Sequence, residues 1–305
     1  MALEKGIAEL VREFIDAGRP SSREQNIDDR RNGYVASAVL AGEQENRVWV
    51  EDIELEGMFF RVVSPLNATG ALPAVIYFHG GCFISGGFAT HDHQLRQLAY
   101  HSGCRVIAVQ YRLAPEHTFP AAHDDAEKGA LIIHRHAGQL GIDASRITLA
   151  GDSAGGHLAL VTALRLKTTQ AWQPAQLVLI YPMLDATASM KSYIDNGKDY
   201  IITEDTLLSG YEMYLSATEL HHPEASPLWR KDFNGLPPVH ILTAEYDPLR
   251  DEGEALYQRL LEQGVDCTCQ RYLGVIRGFF QLGGISPAAG SAMRDIAWRV
   301  KSPGQ

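Results

Sequence analysis

The hexapeptide Gly-Asp-Ser-Ala-Gly-Gly at residues 151–156 constrains the fold of this chain more than any other stretch. Residues 146–150 before it predict a short buried strand, and residues 157–167 after it predict a helix. A strand, a tight turn and a helix around Gly-x-Ser-x-Gly form a nucleophile elbow, in which the glycines remove side chains that would collide. The pattern also occurs in ordinary turns, but these flanks favour the elbow and make Ser153 the candidate nucleophile.

Repeated apolar runs predict the central sheet. Residues 74–78 are almost continuously apolar, which is typical of a strand that is buried on both faces. With helical patterns between them, further strands are predicted at residues 106–109, 147–150, 177–181, 239–244 and 268–272. This alternation predicts an α/β fold with a mostly parallel sheet, helices on both faces and ligands at the carboxyl ends of the strands. Period-two alternation predicts a hairpin formed by residues 48–53 and 58–63.

Three segments lie outside this alternation. Residues 2–17 predict an amphipathic helix, which either packs on the body of the protein or helps to roof the active site. Residues 20–42 are polar and irregular, so we expect a mobile loop with some helix. Residues 203–216 predict a second amphipathic helix, within a connection that is far longer than an ordinary one.

Charge and composition exclude several classes of partner. The formal charge of −10 and the absence of a basic run argue against nucleic acid and against an acidic membrane surface. No apolar stretch predicts a signal peptide or a membrane span, so we expect a soluble, cytoplasmic protein. The four cysteines lack Cys-x-x-Cys spacing, which favours reduced and mostly buried thiols. A homodimer is compatible with the sequence, which leaves the oligomeric state open.

A glycine-rich loop follows the strand predicted at residues 74–78. Residues 79–87 read His-Gly-Gly-Cys-Phe-Ile-Ser-Gly-Gly, and so many glycines leave backbone N–H groups free to converge on a negative oxygen. A purely structural loop is the alternative. A phosphate-binding loop is disfavoured, because no Gly-Lys-Ser/Thr ending is present.

Four motifs occur in order along the chain and are together highly specific. They are His79-Gly80-Gly81-Cys82, Tyr111-Arg112-Leu113-Ala114-Pro115-Glu116, Gly151-Asp152-Ser153-Ala154-Gly155-Gly156 and Asp247-Pro248-Leu249-Arg250-Asp251-Glu252. From about residue 45 to its end, the chain therefore resembles the bacterial hormone-sensitive-lipase-like esterases of the α/β-hydrolase fold. The resemblance implies hydrolysis of small-molecule carboxylic esters through a serine acyl-enzyme, without a cofactor.

The resemblance also implies a role for each motif. Ser153 would attack the ester carbonyl, and Asp247 matches the acid that orients an imidazole in the family's triad. The alternative reading of Asp247 is a helix N-cap ahead of Pro248, and both roles can hold together. The developing oxyanion would be bound by the backbone N–H groups of Gly80, Gly81, Cys82 and Ala154. The family has a third glycine where this chain has Cys82, a change that a backbone donor tolerates if φ and ψ permit it.

The third member of the triad departs from the family. After the last strand the family has Tyr-x-Gly-x-x-His-Gly-Phe, whereas residues 272–279 read Tyr-Leu-Gly-Val-Ile-Arg-Gly-Phe, so Arg277 stands at the histidine position. A guanidinium stays protonated and offers only donors, so it cannot take the proton of Ser153. We expect a bidentate pair between Arg277 and Asp247, an un-ionised serine and strongly impaired turnover.

Other histidines are weak substitutes for the missing base. His91 and His93 are expected near the pocket, whereas His157 and His240 belong to a helix and a strand. The His-x-His spacing of residues 91–93 suggests a metal, but no carboxylate cluster accompanies it, so no metal site is expected.

In the family a helical cap covers the pocket and selects the acyl group, and here a compact cap favours short acyl chains. We assign residues 1–45 to the N-terminal part of the cap and residues 185–230 to a cap insertion, with the catalytic core at 46–184 and 231–305. Four aromatic side chains either line the substrate channel or pack in the core, namely Tyr193, Tyr200, Tyr214 and Trp229.

Two functions remain open. The first is an esterase whose base has changed, by divergence or by replacement of one residue. The second is a non-catalytic binder of small molecules, since the plant gibberellin receptors resemble the same family and also lack the triad histidine. The elbow and the glycine loop favour the first function, because a receptor has no chemical need of either.

Overall fold

An eight-stranded sheet forms the centre of the protein. The computed structural model describes residues 2–303, in which the strands are β1 (Val48–Leu55), β2 (Met58–Pro65), β3 (Leu72–Phe78), β4 (Arg105–Val109), β5 (Ile142–Asp152), β6 (Gln176–Ile180), β7 (Val239–Tyr246) and β8 (Cys267–Ile276). Their order in the sheet is β1-β2-β4-β3-β5-β6-β7-β8. The two pairings that involve β2 are antiparallel and the others are parallel. The predicted α/β fold, its hairpin and its strands are confirmed.

The hairpin and the central strands follow directly from their residues. Leu55 pairs with Met58, which leaves a two-residue loop, Glu56 and Gly57, and both loop residues have positive φ. Such a loop matches the right-handed twist of the two strands that it joins. The β3 strand is buried from Ala74 to Phe78, as expected for a strand that is covered on both faces.

Helices cover both faces of the sheet. They are α1 (Lys5–Asp16), α2 (Ile27–Ser37), α3 (Phe88–Ser102), α4 (Ala121–Arg135), α5 (Ala154–Thr169), α6 (Lys191–Asn196), α7 (Glu204–Tyr214), α8 (Arg250–Glu262) and α9 (Pro287–Lys301). The apolar residues of α1, α3 and α9 share one buried cluster, and those of α4, α5, α7 and α8 share the other. No helix within residues 2–303 has both the length and the apolar character needed to cross a bilayer.

The two N-terminal helices differ from each other in how they are held. The predicted helix at residues 2–17 is α1, and its buried residues Ile7 and Val11 pack on the body of the protein. The expected loop at residues 20–42 is instead largely helical, because it contains α2 and two short 3₁₀ turns. The α2 helix has no fully buried residue, so apolar periodicity gives no sign of it. Its N-cap, Asn26, accepts a hydrogen bond from the backbone N–H of Asp29 at 2.8 Å.

The long connection between β6 and β7 contains α6 and α7, and the latter lies at the helix predicted for residues 203–216. Glu224 anchors this connection to the core, since its carboxylate accepts two hydrogen bonds from Arg165 at 2.8 and 2.7 Å. The carbonyl of Glu224 accepts from His123 Nε2 at 2.9 Å. His157 Nδ1 donates to the Met183 carbonyl at 2.8 Å, and its Nε2 lies 2.8 Å from His123 Nε2. The two buried histidines therefore form a pair under the connection.

This histidine pair should make the fold sensitive to acid. Burial lowers the pKa of His157 to about 4, whereas an unfolded histidine titrates near about 6.5. Between these values the unfolded chain binds more protons than the folded chain, so stability falls as the pH falls through this window. We expect the free energy of unfolding to drop between about pH 7 and pH 5, with a slope in His157→Gln that is shallower by up to about 1.4 kcal/mol per pH unit. Urea unfolding measures both slopes, and equal slopes would contradict this account.

Candidate active site

The tight turn between β5 and α5 places Ser153 at the carboxyl end of the sheet. Ser153 has φ 57° and ψ −119°, a left-handed backbone conformation that is uncommon for a residue with a side chain. Glycines on either side of it relieve the crowding, because a Cβ at Gly155 would overlap the carbonyl oxygen of Phe78 and a Cβ at Gly151 would overlap Gly155. The sequence Gly-x-Ser-x-Gly is therefore required by the close approach of backbone atoms.

Arg277 lies directly after β8 and contacts both Ser153 and Asp247. Its Nη1 donates to Asp247 Oδ2 at 2.9 Å and to Oδ1 at 3.2 Å, while its Nη2 donates to Ser153 Oγ at 2.8 Å. The expected bidentate pair therefore takes a different form, in which one nitrogen serves both carboxylate oxygens. The other nitrogen reaches the serine because a guanidinium at this position spans the gap between the two residues.

Burial strengthens this contact. Arg277 and Asp247 are 2% and 0% exposed, so the carboxylate is the compensating charge for a cation that water does not reach. Burial is the largest single effect and lowers the pKa of Arg277, but the negative charge of Asp247, with smaller contributions from Cys82, Tyr181 and Glu252, holds that pKa above its ordinary value. The ring of Tyr181 also faces the guanidinium, with its centroid 5.3 Å from Cζ. Arg277 is thus a permanent donor toward Ser153 Oγ and cannot accept its proton.

Asp247 follows β7 and lies at the start of the turn that leads into α8. Its Oδ1 accepts a hydrogen bond from the backbone N–H of Leu249 at 2.7 Å. The carbonyl of Asp247 accepts from Asn196 Nδ2 at 3.2 Å, which ties this turn to α6. The side chain therefore caps the turn before α8 and contacts Arg277 at the same time, so both roles considered for it are compatible.

The glycine loop turns sharply next to the elbow. Gly81, Cys82 and Phe83 all have positive φ, at 126°, 55° and 65°. In the part of the chain that the structure describes, the N–H groups of Gly81 and Cys82 donate to no protein acceptor. Ala154 is the first residue of α5, so its N–H has no partner within the helix. These three N–H groups are therefore available to bind an oxygen.

Gly80 differs from the other predicted oxyanion donors. Its N–H donates to Asp152 Oδ1 at 3.1 Å, and the same oxygen accepts from Tyr77 at 2.8 Å and from His91 Nε2 at 2.9 Å. Asp152 therefore holds the loop in place through hydrogen bonds. The N–H of Gly80 is already engaged in this arrangement.

His79 and the other histidines are held by contacts of their own. His79 Nδ1 donates to the Gly80 carbonyl at 2.7 Å, and its ring stacks on Tyr111 at 4.2 Å between centroids. Burial, with a further contribution from His91, lowers the pKa of His79 to about 3, so its ring is neutral. Within residues 2–303, no hydrogen bond joins a histidine to Ser153 Oγ. His93 is partly buried and His240 pairs with Thr268 at 2.9 Å in the sheet.

A cavity of about 170 Å³ adjoins Ser153 and Arg277. The other residues that line it are Arg30, Tyr34, Gly81, Cys82, Ile84, Ser85, Asp152, Tyr181, Ile202, Thr206, Gly278 and Gln281. Arg30 and Tyr34 are not among the predicted site residues, because they belong to α2, within a segment that was expected to be a loop with some helix. Gln281 was not predicted either, and its Oε1 accepts from the Tyr34 hydroxyl at 2.7 Å.

None of the four aromatic side chains considered for a substrate channel lines this cavity. Tyr214 is buried, stacks on Phe83 and bonds to His123 Nδ1 at 2.7 Å. Tyr193 is buried as well, and Tyr200 packs against Tyr246. The fourth, Trp229, is 45% exposed. All four side chains therefore lie in the core or at the surface.

The α7 helix packs against the glycine loop. A Cβ added at Gly210 would lie only 2.6 Å from the Cβ of Cys82, so helix and loop are in close contact.

No group of three or more histidine, cysteine or acidic side chains within the described part of the chain could hold a metal ion. The four cysteines are free, and all except Cys269 are buried.

Known proteins share this fold and much of this sequence. The profile of the alpha/beta hydrolase fold family matches residues 75–281. An arylesterase of Saccharolobus solfataricus is 36% identical over 263 residues, which is 84% of each chain. An ethyl acetate hydrolase of Pseudomonas putida is 32% identical over 300 residues, covering 93% of this chain and 94% of its own.

Solved structures of esterases superimpose over nearly the whole chain. An esterase of Pyrobaculum calidifontis matches with a TM-score of 0.90 and 36% identity, covering 98% of each chain. A thermostable esterase from Pseudomonas putida ECU1011 matches with a TM-score of 0.95 and 29% identity, covering 100% of this chain and 98% of that one.

Removal of the Asp247 charge should destabilise the protein strongly. Asp247→Asn keeps the shape of the side chain but leaves the buried Arg277 cation without its counter-charge, which costs about 3–5 kcal/mol. Asp52→Asn is the matched control, since Asp52 pairs with Arg61 near the surface, where loss of an ion pair costs about 1 kcal/mol or less. Denaturant unfolding measures both effects. An equally small loss in the two variants would refute the importance of the buried pair.

Proposed function

The chain belongs to the hormone-sensitive-lipase-like carboxylesterases of the α/β-hydrolase fold, and on this basis we propose that it is a serine carboxylic ester hydrolase that lacks its general base. The observation that carries the proposal is the position of Arg277, whose Nη2 donates to Ser153 Oγ at 2.8 Å with Asp247 behind it. In a serine hydrolase, a histidine occupies this position between the nucleophile and the acid.

Each remaining group has a role in acyl transfer. Ser153 is the nucleophile that attacks the ester carbonyl to form an acyl-enzyme. We assign the binding of the oxyanion of the tetrahedral intermediate to the N–H groups of Gly81, Cys82 and Ala154, which have no backbone acceptor within residues 2–303. Gly80 supports this loop through Asp152 instead of contacting the oxyanion. Cys82 has a positive φ, a conformation that favours glycine, so the cysteine is held at this point at some cost in backbone strain.

Arg277 slows the reaction at the step in which the serine must lose its proton. It donates to Ser153 Oγ, so the lone pairs of that oxygen face a cation and no base is present to accept the hydroxyl proton. In subtilisin, removal of the catalytic histidine lowers kcat by about 10⁶-fold, which corresponds to roughly 8 kcal/mol of activation free energy. We expect this chain to be impaired by a similar order of magnitude.

His79 and His91 lie near Ser153 but do not replace the base. His79 donates to the Gly80 carbonyl, and His91 contacts Thr90 and Asp152 through its two ring nitrogens at 2.7 and 2.9 Å. Both side chains are therefore engaged in holding the glycine loop. A base must reach the serine hydroxyl directly or through one water molecule, and Arg277 already occupies the contact with Ser153 Oγ.

The proposed substrates are esters with short acyl chains. The cavity beside Ser153 measures about 170 Å³, which is below the roughly 300–1,000 Å³ of sites for drug-sized ligands. The relatives include an ethyl acetate hydrolase, whose name gives a small ester as its substrate.

A cytoplasmic location, a homodimer and the division into cap and core at 1–45, 46–184, 185–230 and 231–305 stay predictions. Residue 1 of the first segment and residues 304 and 305 of the last segment lie outside the described residues.

A second candidate is a binder of small molecules that does not turn them over. The hydrogen bond from Arg277 to Ser153 favours it, because Arg277 occupies the contact with Ser153 Oγ and cannot accept the serine proton. The open N–H groups of Gly81 and Cys82 favour hydrolysis, since their role is to bind charge that develops during the reaction.

Restoring histidine should restore turnover. With p-nitrophenyl acetate, we expect Arg277→His to raise kcat by about 10⁴- to 10⁶-fold over the parent chain. Its rate should also increase with pH as the new imidazole loses its proton, near about pH 6.5. A spectrophotometric assay between about pH 5 and pH 9 measures both effects.

Two variants control this experiment. Arg277→His combined with Ser153→Ala should return to the background rate, which shows that the gain proceeds through the serine. Arg146→His, a change at a surface arginine that pairs with Asp143, should leave the rate of the parent chain unaltered. Vigorous turnover by the parent equal to that of Arg277→His would refute the loss of the base. Specific ligand binding with no gain in Arg277→His would instead favour the binder.

A further inference from the structure

Arg30 is a cation in the wall of the cavity without a carboxylate partner. Its Nη1 donates to Ser209 Oγ at 3.0 Å and its Nη2 donates to the Thr206 carbonyl at 3.2 Å, and both acceptors are neutral. Among the described residues, no carboxylate oxygen lies within ion-pair distance of it. Arg30 is also partly buried, and this burial lowers its pKa because the charged form is desolvated. The guanidinium nevertheless stays protonated at ordinary pH.

The neighbouring arginines show that this arrangement is particular to Arg30. Arg31, on the same helix, forms a two-pronged pair with Glu116 at 2.7 and 2.8 Å. Arg23, just before the helix, pairs with Asp205 and Glu212 on α7. These two arginines are neutralised outside the cavity, whereas Arg30 lines the cavity and remains unpaired.

The other polar groups around the cavity leave mainly donors for a ligand. Tyr34 and Gln281 bond to each other, and Asp152 already accepts hydrogen bonds through its Oδ1. The charge of Arg277 is balanced by Asp247. Asp152 also brings a carboxylate to this lining, and its Oδ1 is engaged by Tyr77, Gly80 and His91. The guanidinium of Arg30 at one side and the open N–H groups of the glycine loop at the other remain for a ligand. Such a lining fits a ligand with an ester carbonyl and a single negative charge.

From this lining we infer that Arg30 binds a carboxylate on the substrate, so that the site selects short esters that also carry one free carboxylate group. A guanidinium forms charge-assisted hydrogen bonds with a carboxylate, which are about twice as strong as neutral ones. The carboxylate matches the guanidinium of Arg30, which lines the cavity and has no carboxylate partner among residues 2–303. The ester part of this ligand rests on the proposed function, whereas the role of Arg30 in binding the carboxylate does not.

Monomethyl succinate and dimethyl succinate test this inference, because they differ only by one methyl group and one charge. Ligand-observed NMR titration of the full chain records binding and hydrolysis separately. We expect the monoester to bind about tenfold more tightly than the diester, a preference that shrinks as salt is added. In Arg30→Gln the preference should disappear. In Arg23→Gln, which removes a paired arginine that links the same part of the chain to α7, it should persist.

Each other outcome overturns part of the inference. Equal binding of the two esters by the parent chain refutes selection for a carboxylate. A preference that survives in folded Arg30→Gln refutes the assignment to Arg30. Should that variant fail to fold, a preference in the parent chain that salt does not weaken refutes the ionic contact. Hydrolysis of the two esters by Arg277→His tests the proposed function alone. If that variant prefers the monoester but does not hydrolyse it, the proposed function is overturned and the role of Arg30 stands.

Discussion

The buried ion pair between Arg277 and Asp247 is the interaction on which the candidate site depends. Removing two charges from water costs several kcal/mol per ion, and only a close partner with further hydrogen bonds offsets that cost. Here the partner of each charge is the other, and Ser153 and Leu249 provide the further contacts. The pair joins the turns after β7 and β8 to the elbow, so it fixes the position of Ser153, the proposed nucleophile.

Sheet topology explains why these three residues meet. Ser153, Asp247 and Arg277 each follow the carboxyl end of a parallel strand, and β5 to β8 are consecutive neighbours in the sheet. Residues that are distant in the chain therefore converge at one edge, where the ligands of such sheets bind. The framework around the candidate site is thus intact, although residue 277 is a donor at the position where the family has a base.

The sequence predicted the framework better than the roof of the cavity. Buried strands and the elbow are strong local signals, because continuous apolar runs and close backbone contacts restrict which residues can occupy them. The α2 helix has no apolar stripe, since arginines and an N-cap hold it, and so Arg30 and Tyr34 were not foreseen. The bond from Arg277 to Ser153 could not be predicted either, because it depends on the distance between the ends of two strands.

The contact between Gly210 and Cys82 has an evolutionary consequence. Where position 82 is glycine, as is usual in this family, the loop presents no Cβ to α7, and position 210 is under less steric constraint. In this chain the Cβ of Cys82 fills that space, so position 210 must remain glycine to keep the helix in place. The two positions form a coupled pair, and substitutions at them are expected to arise together among descendants of a common ancestor.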